Sequence, residues 1–234
     1  MRITELADNG KRFGRRRRAG RSLGLRWGIL STLGLAVGMS AGLLLLGPAE
    51  VVVGMVLVVP VVFAISGAIL GASQWFAVRY LTRATSWITL SAAGLASGLT
   101  LGTIAIELVG SWIAGAPVRL STASEPALFV AFLGLGGISG LTLGAAQWIC
   151  LRGRFGGCRR SGGGRMWVAA NSLALAIGMP VGLLVADLFG TGVRSPLGMV
   201  TLFVVAAGAC GLVTGQVLEA HAREAGRTFR LSRA

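Results

Sequence analysis

Uncharged polar side chains recur at fixed positions in an otherwise apolar chain. Ser31, Ser91 and Asn171 each stand four residues after a tryptophan (Trp27, Trp87, Trp167), and Gln74 and Gln147 each stand five residues before an arginine (Arg79, Arg152). Placed at one depth of a membrane, such groups have two uses. They pair across helices, at about 0.6–2 kcal/mol each, or they line a vestibule that strips water from a solute. Interhelical glue is the first reading and the vestibule the second. Other chemistry finds few parts. One histidine, His221, cannot build a multi-histidine metal site, and Cys150, Cys158 and Cys210 do not join it at metal-ligand spacing. The segment RGRFGGCRRSGGGR (152–165) lacks the Lys-Ser/Thr pair of a phosphate loop. Glu107 and Asp187 each follow a repeat tryptophan by twenty residues, which puts them at an outer boundary where hydration is cheap. No nucleophile–base pair, metal set or cofactor site can be assembled, so a non-enzymatic protein is expected.

The elements that position these residues announce themselves as repeats. Ser66–Arg79 (SGAILGASQWFAVR) recurs as Ser139–Arg152 (SGLTLGAAQWICLR) and, decayed, as Cys210–Arg223 (CGLVTGQVLEAHAR). Each copy keeps two glycines four apart and an arginine eight residues later: Gly67, Gly71 and Arg79; Gly140, Gly144 and Arg152; Gly211, Gly215 and Arg223. In the third copy Leu218 and Glu219 align with Gln-Trp. A second motif alternates with the first. Trp27, Trp87 and Trp167 open W-x3-[SN]-x2-[GA]-x3-G-x3-G, which runs through Gly38 and Gly42, Gly98 and Gly102, and Gly178 and Gly182. Glycines at helical spacing let backbones approach closely where lipid offers no hydrophobic drive for association. All twelve are expected to pack helices, with the alternative that some stripe faces a partner's helix, a pigment or a lipid.

The chain is 54% hydrophobic and 13% charged, too apolar for an ordinary soluble domain. Six uncharged stretches reach the length of a bilayer core: Trp27–Gly47, Val51–Val78, Trp87–Ile106, Pro126–Leu151, Met166–Ala186 and Ser195–Leu218. The expected fold is therefore all-α, a six-helix transmembrane bundle made of three two-helix hairpin repeats (27–78, 87–151, 166–218). A basic tail (1–26) precedes this domain (27–218) and another (219–234) follows it. The segment Glu107–Glu125 is the longest external connection.

A net charge of +14 invites a nucleic-acid reading, but its placement argues against one. With the amino terminus inside and six crossings, all but Arg119 and Arg194 of the 22 Lys and Arg fall on the cytoplasmic side. Both termini are then cytoplasmic. Trp27, Trp75, Trp87, Trp148 and Trp167, with Arg79, Arg152 and Arg223, are expected as interfacial anchors, and the basic segments face anionic lipid headgroups.

The two motifs, G-x3-G-x2-Q-W-x3-R and W-x3-[SN]-x6-G-x3-G, resemble those of uncharacterised bacterial polytopic membrane proteins built from repeated glycine-rich hairpins. The resemblance covers Trp27 to Arg223 and is most specific at Gln74-Trp75 and Gln147-Trp148. It implies fold and a bacterial-type inner membrane, and no activity. The expected function is a structural or assembly subunit, acting as a homo-oligomer or within a membrane complex. A passive channel or small-solute transporter is the alternative.

Overall fold

The structure, a computed structural model, describes residues 23–42, 55–79, 82–114, 124–152, 163–192 and 195–231, with side chains placed from Pro60 in the second helix and through Arg223 in the sixth. The described residues form six helices: α1 (Leu23–Gly42), α2 (Met55–Val78), α3 (Ala84–Ala114), α4 (Glu125–Leu151), α5 (Gly163–Leu188) and α6 (Pro196–Leu231). Among the described residues there is no strand. The reason is elementary: an uncharged stretch in lipid must satisfy every backbone N–H and C=O internally, and a helix does so alone. All six contain windows long and apolar enough to cross a membrane.

The helices overrun their expected ends. α1 starts at Leu23, within the segment read as a tail, because Gly24 packs on Gly215 of α6. α3 continues through Glu107 to Ala114, so the first part of the external segment is helix. α5 takes in Gly163–Arg165, and α6 carries on past Leu218 to Leu231. The first tail up to residue 22, the expected turn at 47–50, residues 115–123, Cys158 and Arg194 lie outside the described residues.

Each helix lies antiparallel to its neighbours, and α1 meets α6, so the bundle is a closed ring. A glycine sits in every seam. A methyl group added at Gly38 would come 2.8 Å from the Ser66 carbonyl oxygen, at Gly67 2.8 Å from Ala92 Cα, and at Gly94 2.9 Å from Leu143 Cα. Around the other half of the ring it would come 3.0 Å from Val168 Cα at Gly144, 2.5 Å from the Leu202 carbonyl oxygen at Gly182 and 2.9 Å from Gly28 Cα at Gly211. Gly42, Gly71, Gly98, Gly102, Gly140, Gly178 and Gly215 face Val62, Ser91, Ser139, Leu135, Ser172, Ala206 and Gly24 in the same seams. Real Cβ contacts do not come this close to backbone, so these helices approach as they do only because the side chain is missing. Hydroxyls exploit the bared carbonyls: Ser66 Oγ donates to Gly38 O at 2.9 Å, Thr142 Oγ1 to Gly94 O at 2.8 Å, and Ser172 Oγ to Gly137 O at 2.8 Å. These glycine faces are thus occupied by neighbouring helices of the same chain.

Six helices project inward at every fourth residue, and the layers alternate. Leu35, Leu70, Leu95, Leu143, Leu175 and Ala207 belong to one apolar core. Trp27, Val78, Trp87, Leu151, Trp167 and Leu218 belong to another, nearer the end where Arg79 and Arg152 stand. Outward go Leu33, Val37, Leu101, Leu133, Leu173, Ile177 and Leu212, all exposed. That is the surface a bilayer would cover. Charge separates along the ring axis: Arg26, Arg79, Arg83, Arg152, Arg165 and Arg223 gather at one end, and Glu107, Glu125 and Asp187 at the other.

Candidate functional site

Between the two apolar cores lies a polar layer, one turn inward from the tryptophans. Ser31, Gln74, Ser91, Gln147 and Asn171 are all buried within it, together with Thr214, which the sequence reading missed. The chain reaches it by a simple rule: each member is four residues from a residue of either core along its own helix, as Ser31 lies between Trp27 and Leu35 and Gln147 between Leu143 and Leu151.

The layer is wired across helices. Gln147 Nε2 donates to Gln74 Oε1 (2.9 Å) and lies 3.3 Å from Ser91 Oγ, while Gln74 Nε2 donates to Ser31 Oγ (3.0 Å). One run of amides and hydroxyls therefore joins α1, α2, α3 and α4. On the far side Asn171 Nδ2 turns back to the Trp167 carbonyl (3.0 Å), and its Oδ1 accepts from Cys210 Sγ (3.5 Å), linking α5 to α6. Trp27 Nε1 donates to Thr214 Oγ1 at 2.8 Å, and Thr214 donates in turn to the Cys210 carbonyl (2.6 Å), closing α6 onto α1.

Thr214 corrects the register of the third copy. Gly71 faces Ile88 and Ser91 of α3, and Gly144 faces Val168 and Asn171 of α5; the residue of α6 that faces the corresponding Gly28 and Ser31 of α1 is Gly211. Three residues on, where α2 and α4 carry glutamine, α6 carries Thr214. Leu218 falls instead in the tryptophan core with Val78 and Leu151. The shift of one turn has a cause. α1 alone carries Gly24 and Gly28 on this face, so glycine meets glycine at both Gly24/Gly215 and Gly28/Gly211.

Trp27, Trp87 and Trp167 are essentially without exposure, which overturns their reading as an interfacial belt. Trp27 packs edge-on between the other two, with ring centroids 5.8 Å from each and interplanar angles of 75° and 68°. They plug the axis beneath the polar layer. Trp75 and Trp148 are half-buried and fasten the same end from outside: Trp75 Nε1 donates to Thr82 O (3.3 Å), and Trp148 rests against Gly164 and the His221 ring. His221, in the segment expected as a basic tail, is buried with Nδ1 2.8 Å from Val217 O. Arg79 and Arg152 are exposed, and Arg223, also exposed, pairs with Glu219 one turn earlier. Glu107 and Asp187 are exposed at the opposite end.

Three polar atoms of this region have no partner: Gln147 Oε1, Trp87 Nε1 and Trp167 Nε1. The layer thus offers two donors and an acceptor from neutral groups, and no carboxylate or cation. Among the described residues, no group of three His, Cys, Asp or Glu side chains gathers as a metal set would.

Fold and layer together define a multi-pass integral membrane protein. No family model matches the chain, and no curated protein or solved structure does.

Proposed function

We propose that the protein is a non-enzymatic structural or assembly subunit of a bacterial-type inner membrane, its basic end and both termini cytoplasmic. Three glycine-rich hairpins, read as repeats about an axis normal to the membrane, form a preassembled ring. The observation that carries the reading is where apolar side chains leave that ring. Counted from the tryptophans that pack together, α3 runs from Trp87 to Ala114 and α5 only from Trp167 to Leu188, so α3 outreaches α5 by about 9 Å. The overhang presents Val109, Trp112 and Ile113, with Trp112 85% exposed. Large apolar patches of this kind serve as contact surfaces. A partner helix would dock here, since the glycine faces are taken.

Passage of a small neutral solute is the second reading, favoured by three buried polar atoms without a partner, Gln147 Oε1, Trp87 Nε1 and Trp167 Nε1. One preparation separates the two. Native mass spectrometry of gently solubilised membranes should find the protein with a defined partner, and Trp112→Ala with Ile113→Ala should release it. A lone monomer on mass spectrometry, with solute flux after reconstitution into liposomes, would overturn the subunit reading in favour of a channel.

A further inference from the structure

On the outside of the α4/α5 seam, a groove of about 850 Å³ opens towards the surrounding membrane. That volume falls within the roughly 300–1,000 Å³ typical of small-molecule sites. Small side chains, Ala145, Ala169 and Ala176, line it together with Leu141 and Leu173. Its one hydroxyl, Ser172 Oγ, is already donated to the Gly137 carbonyl, so the wall is apolar in effect. The character changes at the basic end, where Trp148 and Arg165 line it. Trp148 lies across Gly164, and a methyl group added there would come within 2.5 Å of its Nε1, so glycine is what admits the indole. Gly163, Gly164 and Arg165 form the first turn of α5, whose N–H groups have no acceptor within the helix.

We infer that this groove is a specific site for one anionic phospholipid. An acyl chain lies along Val168, Ser172 and Ala176, and the phosphate sits at Arg165, assisted by the first-turn amides of α5 and the Trp148 indole. Two properties select this occupant. From Arg165 to Ala176 the helix rises about 16 Å, and one leaflet of hydrocarbon is about 15 Å thick, so the charge stands where a headgroup begins. Among the described residues, the one charged side chain of the lining is a cation capable of bidentate pairing with phosphate. The inference is independent of the subunit reading.

The test is native mass spectrometry of the purified full chain titrated with phosphatidylglycerol or phosphatidylcholine. One phosphatidylglycerol should be retained in preference to phosphatidylcholine. Arg165→Gln should weaken that retention about tenfold, the equivalent of one charge-assisted hydrogen bond, and Arg165→Lys should restore part of it. Ala169→Trp, which fills an exposed part of the groove without touching a seam, should abolish it while the thermal midpoint stays unchanged. Equal retention of the two lipids, or full retention in Ala169→Trp, would overturn the site. So would a dimer that Ala169→Trp dissolves, since the occupant would then be a second copy.

Discussion

Two amides hold most of the polar layer together. Gln147 spans from α4 to Gln74 on α2 and to Ser91 on α3, and Gln74 in turn carries the run on to Ser31 of α1. If the layer is glue, Gln74 and Gln147 act as a unit. Replacing Gln147 alone by Leu strands Gln74 Oε1 in the interior, whereas replacing both removes donor and acceptor together. Gln147→Leu should therefore cost about 1–2 kcal/mol, and the double variant less than the sum of the singles, with a coupling near 0.6–2 kcal/mol. A double-mutant cycle on unfolding in mixed micelles measures it. Strictly additive losses would mean that the two amides do not depend on one another, and would favour a layer that serves a passing solute.

At the scale of the element, glycine decides what a helix can approach, but its spacing does not say whom it faces. The four-residue stripes were legible in the sequence because the period of a helix is fixed, and so were the six spans and five of the six polar-layer residues. Two things were not. The stripe is the same whether it meets a neighbour in the chain or another protein, so the closure of every seam from within had no signature. The register of α6 was hidden because Gly211 and Gly215 copy the spacing of Gly67 and Gly71 while meeting α1 one turn further along. The clue was in α1, in Gly24 and Gly28, and it is readable only once the two helices are known to touch. The tryptophans failed for a related reason: indole at a span's end suits a headgroup interface or a buried plug equally, and rotation about the helix axis decides. Two glycines of α4 make the seam argument testable. A methyl at Gly140 would run into the backbone of Asn171 and Ser172, while one at Gly134 meets nothing within 4 Å. Gly140→Ala should destabilise by about 1–3 kcal/mol through overpacking. Gly134→Ala should be neutral or gain up to about 1 kcal/mol from helix propensity. Equal thermal shifts would contradict the seam.

The whole molecule is a ring whose first and last helices must find each other. Five of its seams join helices consecutive in the chain, so short connections favour them; the α6–α1 seam has no such help and rests on Gly24/Gly215, Gly28/Gly211 and the Trp27–Thr214 hydrogen bond. This is also the seam where α6 could be exchanged between two copies, since a swapped α6 would make the same contacts in another ring. Closure within one chain predicts a specific cross-link. A Cβ at Gly208 would lie 3.5 Å from Thr32 Oγ1, clear of everything else within 4 Å, so cysteines at the two positions would bring their sulfurs within reach of one another. In a background with Cys150, Cys158 and Cys210 replaced by serine, Thr32→Cys with Gly208→Cys should oxidise in membranes to a monomer that migrates faster without reductant. A dimer band in its place would show that α6 belongs to a neighbour's ring, and the closed unit would then be the dimer. Between those outcomes lies the difference between a subunit that enters a complex already folded and one that is completed only there. Because α1 leaves the ribosome before α6, the intramolecular product also requires that the ring wait open until α6 inserts, held meanwhile by the four seams from α1 to α5.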